Sequence, residues 1–128
     1  MELLIYKASA GSGKTFTLAV EYIKHLIIQP TAYRHILAVT FTNKATKEMK
    51  ERILQQLWGI WKGEDGSASY LEALSKRLQD SGYSFSTSDI RQRSGDALHH
   101  ILHDYNRFQV TTIDSFFQMV TRDLAREL

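Results

Sequence analysis

The sequence predicts an α/β domain, a small parallel sheet flanked by helices, and three observations predict it. Short apolar runs at Leu3-Leu4-Ile5-Tyr6, His35–Thr40 and Phe108–Ile113 alternate with longer segments of helical period. A loop rich in small residues, Ala8–Gly13, lies between the first run and the first helical segment. A long, mostly helical stretch then separates the second run from the third. Strands alternating with helices give βαβ units, whose right-handed crossovers make the strands parallel.

In chain order, residues 3–7 read as a strand and residues 14–28 as a helix, with Phe16, Ala19, Val20, Ile23, Leu26 and Ile27 on one stripe. Pro30 ends it. His35–Thr40 suits a strand buried on both faces. Thr42 or Asn43 can cap the next helix, which is expected to run to about Trp58 with Ala45, Met49, Ile53 and Leu57 inward. Gly59–Ser69 reads as a loop, Leu71, Leu74 and Leu78 as a short helix, and Ser81–Ser88 as another loop. Asp89 with Gln92 resembles a capping box opening a helix whose stripe is Ile90, Ala97, Leu98, Ile101 and Leu102. Residues 60–107 are thus a helical excursion between two strands. Phe108–Ile113 is the third strand, and residues 115–128 form a last helix through Phe116, Val120, Leu124 and Leu128. That helix has no stop signal, and three strands make a small sheet for a nucleotide-binding enzyme, so a piece of a longer protein is expected.

Composition sets outer bounds. A chain of 128 residues, 43% hydrophobic and 23% charged, is one domain able to bury a core of its own. No apolar stretch approaches the roughly 20 residues of a membrane span. The N-terminus lacks the pattern of a secretory signal. Absence of cysteine excludes disulfides and thiolate metal sites and fits a cytoplasmic protein. A net charge of +2 permits a nucleic-acid partner without demanding one.

The segment Ala8-Ser-Ala-Gly-Ser-Gly-Lys-Thr15 carries the clearest chemistry. Strand, glycine-rich loop, then helix is the setting of a phosphate-binding loop. Small residues let successive backbone N–H groups converge on phosphate oxygens, and the positive end of the following helix adds to the attraction. Ala10, Gly11, Ser12, Gly13, Lys14 and Thr15 are therefore the expected residues for binding a nucleoside triphosphate. Lys14 would neutralise the β- and γ-phosphates, and the Thr15 hydroxyl would ligate Mg²⁺. Ala8 stands where a first glycine is usual. The plainer reading is a glycine turn followed by a lysine.

A second site must name the reaction. Asp114, after the third strand, is the local acidic residue that could hold Mg²⁺; alternatively it caps the last helix. At the end of the second strand, Thr40, Phe41, Thr42 and Asn43 would deliver hydroxyls, an aromatic ring and helix-start amides to one sheet edge, groups that suit single-stranded nucleic acid. Lys44, Lys47 and Lys50 follow at spacing three. The plainer reading there is a solvated face laced by Glu48–Arg52 and Lys47–Glu51 pairs. Asp96, His99, His100 and His103 share a polar helix face and need no metal to explain them. Trp58 and Trp61 read as core or interface packing.

Taken in order, these segments resemble the superfamily-1 DNA helicases of the UvrD/Rep type. Ala8–Thr15 is similar to their first motif, and Thr40-Phe-Thr-Asn-Lys-Ala45 with Glu48-Met49 and Arg52-Ile53 is similar to their motif Ia. Thr112-Ile-Asp-Ser-Phe116 resembles their T-x-H-x-F element, with Asp114 in place of His; Thr46 replaces a frequent Ala. The pattern is nearest to the RecB/AddA-like branch, whose helicase modules often join a nuclease. The resemblance implies a RecA-like P-loop sheet, truncated here, in residues 1–128 as the N-terminal part of motor domain 1. It implies ATP hydrolysis with Mg²⁺ and single-stranded DNA or duplex ends as partner, bound by Thr40, Phe41, Thr42, Asn43, Lys44, Thr112, Asp114, Ser115 and Phe116. A partner subunit of a helicase–nuclease complex is implied as well, and no membrane. Two other readings stay open: a small phosphotransferase using Asp114 for magnesium and an arginine lid from Arg91 or Arg93, and a non-enzymatic nucleotide-gated module.

Overall fold

The computed structural model describes residues 2–5 and 12–127, with the backbone alone for 2–5 and Ser12. Strands β1 (Glu2–Ile5), β2 (Ile36–Thr40) and β3 (Val110–Thr112) form one parallel sheet in that order. Ile5 pairs with Val39, and Thr40 with Thr112, so the three strands end together at one edge. All five β2 residues are buried, as a central parallel strand covered on both faces requires.

Helix α1 (Ser12–Ile28) is buried on more than one stripe: Leu18 and Tyr22 are as enclosed as Ala19, Val20, Ile23, Leu26 and Ile27. The reason is its central place, packed against α2 (Asn43–Lys62), α3 (Ala68–Asp80) and α4 (Thr87–Leu102). Two cations from the excursion hold it. Arg77 Nη1 donates to Glu21 Oε2 at 2.6 Å, and Arg93 Nη1 donates to the carbonyls of Ile27 and Ile28 at 3.0 and 3.4 Å. The second contact satisfies carbonyls at the C-terminal end of α1, where a positive charge also meets the negative end of the helix dipole.

Helix α2 outruns the end expected near Trp58. Gly59 is inside the helix, and the stop is Gly63 at φ 71°, with Glu64 N–H returning to the Gly59 carbonyl at 2.8 Å. Gly59 serves close packing instead: a Cβ there would lie 2.0 Å from Ser67 Oγ, which bonds Gln56 at 2.7 Å. The loop expected from Gly59 shrinks to a short 3-10 turn over Asp65–Ser67. The capping box of α4 is also displaced, by one turn: Ser86 is the cap and Asp89 its reciprocal partner, at 3.0 and 3.2 Å, not Asp89 with Gln92.

A polar staple closes the excursion. Tyr33 in the turn before β2 donates to Asp104 Oδ2 at 2.9 Å, and Arg34 Nε donates to the same oxygen at 3.0 Å. The little burial Asp104 has would raise its carboxyl; hydrogen bonds from Tyr33 and Arg34, with the charges of Arg107 and Arg34, hold it below the usual range. Helix α5 (Ile113–Glu127) has no buried residue, and Phe117 and Leu124 are each 59% exposed, so the stripe expected inward on this helix has no core against it among the described residues. Among the described residues no helix is long and apolar enough to cross a membrane.

Candidate nucleotide and DNA-contact edge

Because the strands end together, everything that follows them in sequence starts from one edge of the sheet. In parallel α/β sheets the carboxyl ends of the strands are where ligands bind. Three segments follow the strands in sequence: residues 6–15, of which 6–11 lie outside the described residues, 41–46 and 113–116.

In the first, Ala8, Ala10 and Gly11 lie outside the described residues, and Ser12 opens α1. Gly13 and Lys14 are exposed and Thr15 is half-buried. The first turn of α1 therefore offers amides without helical partners, beside an accessible ammonium and a hydroxyl.

Segment 41–46 is built by threonines. Thr42 caps α2, its Oγ1 accepting from Ala45 N–H at 3.0 Å, so the choice between Thr42 and Asn43 falls to Thr42. Thr40, at the last position of β2, is 1% exposed. Its hydroxyl lies 2.7 Å from that of Thr46, and 3.3 Å from the carbonyls of both Thr42 and Thr111. Phe41 is 48% exposed, and Thr42, Asn43 and Lys44 are open to solvent. Lys47 is exposed too, but Lys50 leaves the expected row and leans over the Tyr105 ring at 5.4 Å. Arg52 donates to the Tyr70 hydroxyl at 2.9 Å.

In the third segment the cap of α5 is Thr112, whose Oγ1 accepts from Ser115 N–H at 3.2 Å and donates to Ser115 Oγ at 3.0 Å. Asp114 sits exposed in the first turn of α5, and the cap role expected as one of its two alternatives falls to Thr112. The β-region residue before the first turn takes the cap role, and here that is the end of the strand. Phe116 is half-buried. Beside β3 a cavity of about 370 Å³ is lined by Lys50, Tyr105, Ser115, Phe116 and Met119, among others.

The structure brings Thr40–Lys44 and Thr112–Phe116 to one edge. It separates the other singled-out groups from it. Arg93 is engaged at the far end of α1, roughly 25 Å of helix from Ser12, and its guanidinium stacks on Phe85 at 4.6 Å. That removes it as an arginine lid. Arg91 packs beside Gly63 at the far end of α2. The rings of His99 and His103 lie 4.2 Å apart on an exposed face. Trp58 and Trp61 are 47% and 38% exposed, with Lys62 Nζ 3.8 Å from the Trp61 ring centre. Sequence reading marks Thr46 only as a replacement for alanine and gives the Thr111 carbonyl no role; the recurrence of Thr40, Thr42 and Thr46 was the available signal.

Comparison with known proteins sets this edge in context. Over 126 residues, 91% of this chain, the sequence is 33% identical to RecBCD enzyme subunit RecB of Buchnera aphidicola. Over 123 residues, 94% of the chain, it is 35% identical to an ATP-dependent helicase/nuclease subunit of Ligilactobacillus salivarius. A shorter match of 52 residues, 39% of the chain and 7% of the relative, is 58% identical to ATP-dependent DNA helicase Rep of Escherichia coli. The chain spans only 10% and 9% of the length of the first two. No solved structure matches it significantly. Residues 2–128 match the UvrD/REP helicase N-terminal domain, and the chain belongs to that family.

Proposed function

We propose that residues 1–128 are the N-terminal part of the first motor domain of an ATP-dependent DNA helicase, one that couples ATP hydrolysis to movement along single-stranded DNA and unwinding, in repair or recombination. The observation that carries this reading is the common ending of three parallel strands, from which the phosphate-loop segment and both expected DNA segments start at one edge. The RecA-like sheet is completed, on this reading, by strands outside this sequence, with the excursion at about 60–107 as an insertion in it.

ATP with Mg²⁺ fits the residues present: exposed Lys14, the Thr15 hydroxyl and the helix-start amides of α1 match the donor set a triphosphate needs. Ala10, Gly11, Ser12 and Gly13 would wrap the phosphates, Lys14 would balance their charge and Thr15 would hold the metal. Bound ATP supplies the phosphoryl group whose loss drives the cycle. Single-stranded DNA would lie over Thr40, Phe41, Thr42, Asn43 and Lys44 and over Thr112, Asp114, Ser115 and Phe116, its phosphates on amides and hydroxyls and a base or sugar on Phe41. The relatives named as a helicase/nuclease subunit and as a RecBCD subunit favour a helicase–nuclease complex; duplex ends as substrate and a place in the cytoplasm are part of the same proposal.

The test is ATPase activity of the full-length protein with and without single-stranded DNA, with Lys14→Ala as control. Strong stimulation by DNA, abolished by the substitution, is expected. Turnover indifferent to DNA would overturn the motor reading.

A further inference from the structure

The two DNA-contact segments are separate in sequence, yet one side chain bonds to both. Thr40 is buried, so its hydroxyl meets protein on every side: the Thr46 hydroxyl at 2.7 Å, the Thr42 carbonyl at 3.3 Å and, across to β3, the Thr111 carbonyl at 3.3 Å. Thr46 Oγ1 also lies 3.1 Å from the Thr42 carbonyl, which accepts the Thr46 amide at 3.0 Å. Two hydroxyl protons serve these contacts: Thr46 donating to Thr40 while Thr40 donates to the Thr111 carbonyl joins the turn to β3, and the Thr42 carbonyl keeps the Thr46 amide. That inward grip leaves the outer side of the turn, Phe41, Asn43 and Lys44, facing solvent. One residue beyond Thr111, the Thr112 hydroxyl caps α5 and fixes Ser115.

We propose that Thr46, acting through Thr40, is a positioning residue for single-stranded DNA: the paired hydroxyls lock the Phe41–Asn43 turn to the Thr111–Ser115 segment, so that both meet one strand as a single preorganised surface. The inference rests on the DNA-binding reading above. Thr46 touches no DNA in this scheme. Its contribution is to remove the ordering cost of a loose turn on binding.

Binding of fluorescein-labelled oligo(dT) to the full-length protein, followed by anisotropy, tests it with Thr46→Val and Thr46→Ser. Valine keeps the shape and deletes the hydroxyl; serine keeps the hydroxyl. Thr46→Val should weaken binding about fivefold, the scale of one neutral hydrogen bond. Thr46→Ser should stay within about twofold of the parent; nucleotide affinity should hold in both variants, while the thermal midpoint should fall in Thr46→Val and hold in Thr46→Ser. Equal affinity of Thr46→Val and parent would overturn the inference, as would equal losses in the valine and serine variants, which would point to methyl packing. Failure of the parent itself to bind oligo(dT) would remove the DNA-binding reading first, and this inference with it. Should Thr46→Val not fold, Thr46→Ala against Thr46→Ser is read the same way.

Discussion

The indole of Trp61 rests on the backbone of Gly95: a Cβ added at Gly95 would lie 2.7 Å from Trp61 Cδ1 and Nε1 and 2.8 Å from Cδ2. Three ring atoms at nearly equal distance mean that the face of the indole covers the glycine, and this contact joins α2 to α4. Gly95→Ala must displace the ring or part the helices. Alanine adds about 1 kcal/mol of helix propensity, but overpacking costs typically about 1–3 kcal/mol. A net loss in urea unfolding is expected, with a red shift of tryptophan emission. Gly66→Ala, whose Cβ would meet nothing within 4 Å, should show neither.

Two buried tyrosines should respond oppositely to loss of the hydroxyl. Tyr22 is fully buried, and its hydroxyl has no partner among the described residues; burial pushes its ionisation well above the usual value, with the nearby Tyr33 adding to the shift. Tyr22→Phe should be neutral or stabilising by about 1 kcal/mol, because a desolvated, unpaired group disappears. Tyr33 donates toward Asp104 and the His100 carbonyl. Tyr33→Phe should therefore cost about 1–2 kcal/mol by chemical denaturation.

Acid should weaken the grip on α1. Burial alone would raise the Glu21 carboxyl, yet hydrogen bonds and charge from Lys24 and Arg77 outweigh it and lower it from the ordinary 4.5. A depressed carboxylate stabilises the fold above the unfolded value, and that contribution is lost as pH falls through the folded one. Unfolding midpoints should therefore drop below about pH 4.5, and Glu21→Gln should flatten that part of the profile.

Lys44 is exposed beside the Phe41 turn and should act as a phosphate contact. Lys44→Ala should weaken oligo(dT) binding at every sequence and lower the slope of log K against log salt by about 0.7, the value for one single-strand phosphate. An unchanged slope would place the DNA elsewhere.

Elements with a strong period were legible in the sequence. The run Ile36–Thr40 announced a central strand because both of its faces are apolar, and Thr42 announced a helix start. What failed was choice among neighbours. Gly59 looked like a breaker, but glycine also permits close approach, and only the partner Ser67 decides which. Asp114 outranks nothing as a cap when Thr112, at the strand end, already holds the cap geometry. Burial of α1 on more than one face was hidden because a stripe shows one contact face, and this helix has neighbours on several. The expected phosphate loop carries the clearest motif in the sequence, and its first residues lie outside those the structure describes.

The grip of the excursion on α1 also orders events in time. Arg77 lies 56 residues after Glu21, and Arg93 lies 66 residues after Ile27. While the chain is being made, the helix that follows the phosphate loop leaves the ribosome long before the residues that anchor it. Its apolar faces, Tyr22 and Ile23 among them, wait uncovered until α3 and α4 arrive, so the nascent stretch through α1 and α2 is the part of the domain open to non-native contacts.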